Sequence, residues 1–437
     1  MQIMTLTLTI CAATCLLLIA GVLWYPEIRI GKRGFATYWV VAVLGALTLL
    51  ATGEISLAQV LEGVTADTAV NPLKILVLFL SMTALSVFMD EVGIFRRLAA
   101  MTVAKSTGGQ WSLFWHLYVA VSVLTIFTSN DVIILTFTPF ICYFARNANI
   151  NPMPYLFAEF VAANTWSMAL IIGNPTNIYL ATSAGIDFTE YLRVMLLPTI
   201  VGGVTAFIAL IILFHRQLQR PLIPVRSERE PLQRSGVIIG VSHFVACLIL
   251  LVASSWIGLE MWGISFAVFA SLMAVAFLYD VLSHHGFHEI IQTIRRLPWQ
   301  LIPFVLSMFV VVLALESSGA TALLADMLGN RHSVMTYGLA SALASNAINN
   351  IPMSVLFSSM IDGAFEGRQL VRATYGAIAG SNIGALLSPI GALAGLMWAS
   401  ILKNHDVEIS FLGFVWRGLL IGIPTLLATL WTIGVIA

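Results

Sequence analysis

Apolar stretches of bilayer length recur along almost the whole chain, and nothing constrains its fold more. They lie near 4–24, 36–52, 73–90, 154–183, 193–214, 236–255, 261–279, 299–316, 372–402 and 411–436. A spanning helix needs about 20 mostly apolar residues to cross a hydrocarbon core about 30 Å thick. Only 10% of the residues are charged and 59% are hydrophobic, whereas a soluble domain has about 25% charged. The sequence therefore reads as an all-α polytopic membrane protein with about ten transmembrane helices. The first stretch, Leu6 to Trp24, has neither a basic leader nor a small-residue cleavage site and reads as a retained helix. Net charge is zero, which gives no reason to expect nucleic acid as a partner; the partner is the lipid bilayer.

Two segments, 111–145 and 334–361, do not fit single spans. The first carries Ser129, Asn130 and Asp131 at its centre, and as one helix it would be about 52 Å long. A re-entrant hairpin with polar residues at its tip fits better, and the second segment reads the same way. Basic residues set the expected orientation. With both termini outside, Arg29, Lys32, Arg33, Arg96, Arg97, Lys105, Arg146, Arg295, Arg296, Lys403 and Arg417 fall on the cytoplasmic side. So does an Arg-rich linker at 215–235, with Arg216, Arg220, Arg226, Arg229 and Arg234. Only Lys74, Arg193, Arg331, Arg368 and Arg372 remain outside.

The chain also aligns with itself. Leu80-Ser81-Met82 matches Leu306-Ser307-Met308, and Gly93 matches Gly319, at one common offset. Asn164 matches Asn382 and Gly173 matches Gly391 at a second offset, and Asn130 with Asn349 differs from it by one residue. Residues 1–214 and 236–437 are therefore expected to be inverted repeats, each with one hairpin, joined by the 215–235 linker. That organisation belongs to secondary transporters, whose sites lie near the midplane between the repeats.

Four polar breaks interrupt the apolar pattern: Ser129-Asn130-Asp131; Asn164 through Gly173-Asn174-Pro175-Thr176-Asn177; Ser345-Asn346 with Asn349-Asn350; and Ser381-Asn382 through Ser388. A broken backbone inside hydrocarbon is tolerated only where protein or water satisfies its N–H and C=O groups. These residues are the expected substrate-binding set. Asp131 is the only acid within the breaks, and an ionisable residue at membrane depth points to function. It fits three roles: binding a cation, carrying a coupling proton, or capping the second hairpin helix. Glu159 is a further candidate for the proton path. Cys11, Cys15, Cys142 and Cys247 have no metal-ligand spacing, and His284, His285 and His288 read as a solvated loop. No phosphate-binding loop and no nucleophile–base pair occurs, so neither an enzyme nor a resident cofactor or metal is expected.

At these motifs the chain resembles the ArsB arsenite/antimonite efflux family of the ion transporter superfamily. The likeness is carried by Thr128-Ser129-Asn130-Asp131 with Thr138-Pro139, by Asn349-Asn350-Ile351-Pro352 and by Leu297-Pro298-Trp299-Gln300. Pro389-Ile390-Gly391-Ala392-Leu393 leading into Met397-Trp398 completes it. The resemblance implies a scaffold part and a mobile transport part that holds both hairpin tips. It also implies proton-driven export of neutral trihydroxy As(III) or Sb(III) from the cytoplasm across a bacterial inner membrane, optionally with a cytosolic ATPase subunit. The chain has Asn164 where well-known bacterial members carry Asp, and it lacks their Asp and Lys around Asn382 and Ala385. A sodium-coupled transporter of small anions, or a sodium/proton antiporter, from the same superfamily is the competing expectation.

Overall fold

The computed structural model describes residues 2–25, 27–30, 33–68, 71–104, 109–219, 233–284 and 286–437. The first half contains α1 (Gln2–Trp24), a two-stranded ribbon of β1 (Glu27–Ile30) and β2 (Arg33–Ala36), α2 (Thr37–Ala51), α3 (Leu57–Thr65), α4 (Pro72–Glu91) and α5 (Ile94–Ala104). It continues with α6 (Gln110–Phe127), α7 (Asn130–Asn147), α8 (Met153–Trp166), α9 (Pro175–Ser183) and α10 (Phe188–Leu218). The second half contains α11 (Arg234–Ile257), α12 (Met261–Ser283), α13 (His288–Arg296), α14 (Leu301–Ser317) and α15 (Ala320–Leu328). Then come α16 (Ser333–Ile348), α17 (Asn350–Ala364), α18 (Gly367–Gly384), α19 (Leu393–Asn404) and α20 (Phe411–Ile436). Of the linker arginines, Arg216 ends α10 and Arg234 starts α11, while Arg220, Arg226 and Arg229 lie outside the described residues, as do Lys32, Lys105 and His285.

The chain is an all-α polytopic membrane protein. Eight of its helical segments are long and apolar enough to cross a membrane. The apolar stretches at 154–183 and 372–402 are not single spans: each is two helices with an irregular crossover between them. The order α8, crossover, α9, α10 recurs as α18, crossover, α19, α20. Likewise α4–α5 recurs as α14–α15, with Gly93 and Gly319 at the joints. Both take a positive φ, 90° and 76°, which an L-residue with a Cβ reaches only under strain; the repeated glycine thus has a backbone reason.

Contacts at the helix ends define two faces. On one, Arg296 bridges Asp90 (2.7 Å) and Glu91 at the end of α4, Arg146 meets Asp406 at 3.2 Å, and Asn151 donates to Gln217 at 3.3 Å. On the other, Lys74 at the start of α4 bridges Asp67 (2.5 Å) and Glu260 (2.8 Å), and Arg368 donates to the Ala437 carbonyl at 2.9 Å. The α6–α7 pair enters and leaves by one face: Tyr155, just beyond α7, donates to Gln110 at the start of α6 at 3.0 Å. In the α16–α17 pair, the Tyr337 ring stacks edge-on against Phe365 at 5.1 Å, which joins its two ends. Both segments are re-entrant hairpins.

The helices gather into two bundles. One contains α1, α2, α4, α11, α12 and α14; the other contains both hairpins, both broken helices, α10 and α20. The second bundle holds the tightest helix pair, α16 on α18, where glycines remove the side chains that would keep the backbones apart.

Candidate functional site

The two crossovers share a backbone plan. After α8, a single 3-10 turn (Ile171–Gly173) leads to Asn174, which is extended (φ −153°, ψ 140°) before Pro175 restarts the helix. After α18, Ala392 is extended in the same way (φ −147°, ψ 157°) before α19. Proline at the first helical position loses no hydrogen bond, and the Asn174 side chain caps the restart by accepting from the Thr176 N–H at 3.2 Å. At Gly173 a Cβ would lie 2.2 Å from the Ser167 carbonyl, so only glycine closes this turn.

Buried amides tie the crossovers together. Asn382 Oδ1 accepts from Asn174 Nδ2 (2.8 Å) and the Ser167 hydroxyl (2.9 Å), and Asn382 Nδ2 donates to Asn177 Oδ1 (2.7 Å). Asn177 Nδ2 donates in turn to the Ser167 carbonyl at 2.8 Å, and the Thr176 and Ser381 hydroxyls pair at 3.0 Å. Asn164, Asn174, Asn177, Ser381 and Asn382 are all buried. A neutral network suits a low-dielectric core because each group is satisfied without placing a charge there.

The first hairpin tip joins this network, since Asn130 Nδ2 donates to Asn164 Oδ1 at 3.2 Å. Helix α7 is capped by the Ser129 side chain, which accepts from the Val132 N–H. Asp131 therefore sits in the first turn, one position inside the helix, and is not its cap. The second tip is organised separately. Asn349 caps α17 by accepting from the Ile351 N–H, at a left-handed φ of 72°, and its Nδ2 donates to the Ile390 carbonyl at 3.1 Å. Backbone strain of this kind, about 1–3 kcal/mol, collects at functional sites. At the level of helix caps, Asn349 thus corresponds to Ser129 and Asn350 to Asn130. Asn346 Nδ2 donates to the Gly384 carbonyl at 2.8 Å while its Oδ1 accepts from Ser388. Among the described residues, Ser345 bonds only its own helix, through the Ser341 carbonyl at 2.8 Å. The buried Asn350 Oδ1 has no hydrogen-bond partner among the described residues.

The two acids stand apart. Asp131 is half-buried, close enough to Tyr38 of α2 for its charge to act on that hydroxyl. Glu159 is fully buried; its Oε1 accepts from the Thr138 hydroxyl at 2.7 Å, and the Trp398 indole N–H lies close enough to act on the same carboxylate. No group of three or more His, Cys, Asp or Glu residues able to hold a metal ion occurs among the described residues. Sequence reasoning missed Ser167 and Tyr38. A lone hydroxyl in an apolar helix carries no local signal; its partners lie far along the chain.

Comparison with known proteins bears on this arrangement. A family profile described as "Citrate transporter" (CitMHS) matches residues 17–374. The arsenical pump membrane protein of Escherichia coli is 27% identical over 438 residues, covering 96% of each chain. The putative arsenical pump membrane protein of Bacillus subtilis (strain 168) is 26% identical, covering 89% of this chain and 92% of its own. A silicon efflux transporter of Oryza sativa subsp. japonica is 27% identical over 187 residues, covering 41% of this chain and 38% of its own. The crystal structure of the Alcanivorax borkumensis YdaH transporter superposes with a TM-score of 0.54 at 13% identity, over 99% of this chain and 98% of that one. This last likeness concerns the fold.

Proposed function

The chain belongs to the CitMHS family of membrane transporters, and from that premise we propose that it exports neutral trihydroxy As(III) and Sb(III) by proton antiport. One observation carries the reading: the tips and crossovers offer amides, hydroxyls and backbone groups, and no Lys or Arg occurs at 128–131, 164–177, 345–352 or 380–391. An uncharged hydroxide needs hydrogen bonds in both directions, which Asn, Ser and Thr supply. A carboxylate substrate would meet Asp131 and Glu159 with no basic side chain to offset them. The full-length similarity to arsenical pump membrane proteins supports the same substrate class.

The two halves, 1–214 and 236–437, act as inverted repeats joined by the 215–235 linker, a reading supported by the recurring element order and the paired crossovers. The bundle with both hairpins is the mobile transport part, and the bundle around α2, α4 and α14 is the scaffold. The substrate-binding set is Ser129, Asn130, Asn164, Gly173, Asn174, Thr176, Asn177, Ser345, Asn346, Asn349, Asn350, Ser381, Asn382 and Ser388. Asp131 carries the coupling proton, with Glu159 as the next group on its path. The protein sits in a bacterial inner membrane with both termini periplasmic and works with or without a cytosolic ATPase subunit.

Everted membrane vesicles test this. With an imposed proton gradient they should accumulate arsenite or antimonite, and an uncoupler should abolish the accumulation. The family's description favours a second reading, a small-anion carrier, for which sodium would be the coupling ion. Citrate uptake that needs Na⁺ and survives the uncoupler, without metalloid uptake, would establish that reading in place of the first.

A further inference from the structure

The second hairpin tip faces a cavity of about 20 Å³ whose walls come from both bundles. Leu18 of α1, Tyr38 of α2 and Phe304 of α14 form one side, and Asn349, Ile390 and Leu396 form the other. Among the described residues, Tyr38 and Asn349 are the only polar side chains that line it. Phe304 fixes the Tyr38 ring edge-on, with centroids 5.1 Å apart and planes at 89°. The Tyr38 hydroxyl has no hydrogen-bond partner among the described residues, and Asp131 of the first tip is near enough for its charge to reach it. One phenol therefore faces the second tip across the cavity, oriented by a neighbouring ring and left free to bond something else.

We propose that Tyr38 contacts the substrate, supplying from the scaffold the hydrogen bond that completes a site otherwise built by the transport bundle. The proposal rests on the metalloid reading above. A phenolic hydroxyl donates and accepts, as each hydroxyl of a neutral trihydroxide does. A cavity this small holds about one water, so a trihydroxide fits there only when its walls move apart. Tyr38 then bonds the substrate only when the transport bundle stands opposite α2, and its contribution falls on apparent affinity.

The test is Tyr38→Phe, which keeps the ring against Phe304 and removes the hydroxyl alone. Initial rates of antimonite and arsenite uptake into everted vesicles should show KM raised about three- to tenfold, the effect of one hydrogen bond. Vmax per molecule and the melting temperature should stay at wild-type values. A packing role would leave KM unchanged in Tyr38→Phe and appear only as a lower melting temperature in Tyr38→Ala. Unchanged KM in Tyr38→Phe, with active wild-type protein, overturns this proposal alone; a wild-type chain that moves no metalloid overturns the functional reading with it. A second arm is independent of substrate. With the four native cysteines changed to Ser, the pair Tyr38→Cys and Asn349→Cys should be bridged by a short bifunctional thiol cross-linker, since side chains that meet across a cavity leave their Cβ atoms too far apart for a direct disulfide. Failure to cross-link, while a Tyr38→Cys and Phe304→Cys pair succeeds, removes the juxtaposition and the proposal.

Discussion

Asn382 and Asn349 are both buried or half-buried amides at a chain break, yet their surroundings assign them different work. Asn382 holds Ser167, Asn174 and Asn177 at once; Ser167 keeps its bond to the Asn164 carbonyl, so Asn382→Ala strands two buried polar groups, Asn174 Nδ2 and Asn177 Oδ1, at about 1–3 kcal/mol each. Thermal melts in detergent should show a large drop in stability, and transport should vanish with it. Asn349 bonds one carbonyl and caps one helix. Because its φ is 72°, alanine there would add strain, and Asn349→Gly is the cleaner deletion. That variant should express normally and raise the substrate KM several-fold to tenfold, on the scale of one lost hydrogen bond; a melting curve that collapses as for Asn382→Ala would mean the tip is structural. At Asp131 the cap is already supplied by Ser129. Asp131→Asn should therefore fold and bind metalloid but lose gradient-driven accumulation, and wild-type accumulation in that variant would end its proton-carrying role. Most of these positions were legible in the sequence, since Asn beside Gly and Pro within apolar runs has no other good reason to occur. Ser167 and Tyr38 were not, because what marks them is a partner brought near by the fold.

Among the elements, the pairing of α16 with α18 limits what the second half tolerates. Gly376, Gly380 and Gly384 recur every fourth residue on one face of α18. A Cβ at Gly380 would lie 2.1 Å from the Gly338 carbonyl and 2.0 Å from the Ser341 hydroxyl. Backbone cannot yield as a flexible side chain can, so Gly380→Ala should destabilise by about 1–3 kcal/mol and lower the melting temperature measurably. Gly363 near the end of α17 is the matched control: a Cβ there meets nothing within 4 Å, and Gly363→Ala should be neutral or stabilising by up to about 1 kcal/mol. Equal effects from both would contradict close packing as the cause. Sequence patterning located the long helices but not the short α3, α5, α13 and α15, and the hairpins came from excess length together with polar residues at mid-segment. It could not divide 154–183 or 372–402, because hydropathy averages across a crossover whose irregular residues are themselves mostly apolar. The division is set by hydrogen bonds between Asn side chains that meet across the two halves.

For the whole molecule, the helix-end contacts lead to a statement about sidedness. Helix α4 runs from Lys74, bridged to Asp67 and Glu260, to Asp90, bridged to Arg296. Its 20 residues rise about 30 Å, the thickness of a hydrocarbon core, so these two clusters lie at opposite surfaces. Thr68 is exposed beside the first cluster and His288 is exposed at the start of the helix that ends in Arg296. On the proposed orientation, which follows the charge bias of the loops, the Arg296 side faces the cytoplasm. In a chain whose native cysteines are replaced, Thr68→Cys should therefore react with a membrane-impermeant thiol reagent added to intact cells. His288→Cys should stay unlabelled until the membrane is opened or everted. Labelling of both positions from outside would break the assignment of α4 as a full span, and with it the pairing of α4 with α14 in opposite directions. A reversed pattern, with His288→Cys reacting first, would keep the fold but turn the protein over. Because an antiporter couples inward proton flow to outward substrate flow whichever way it faces, that outcome would revise the sidedness of the two clusters and leave the direction of transport to the proton gradient.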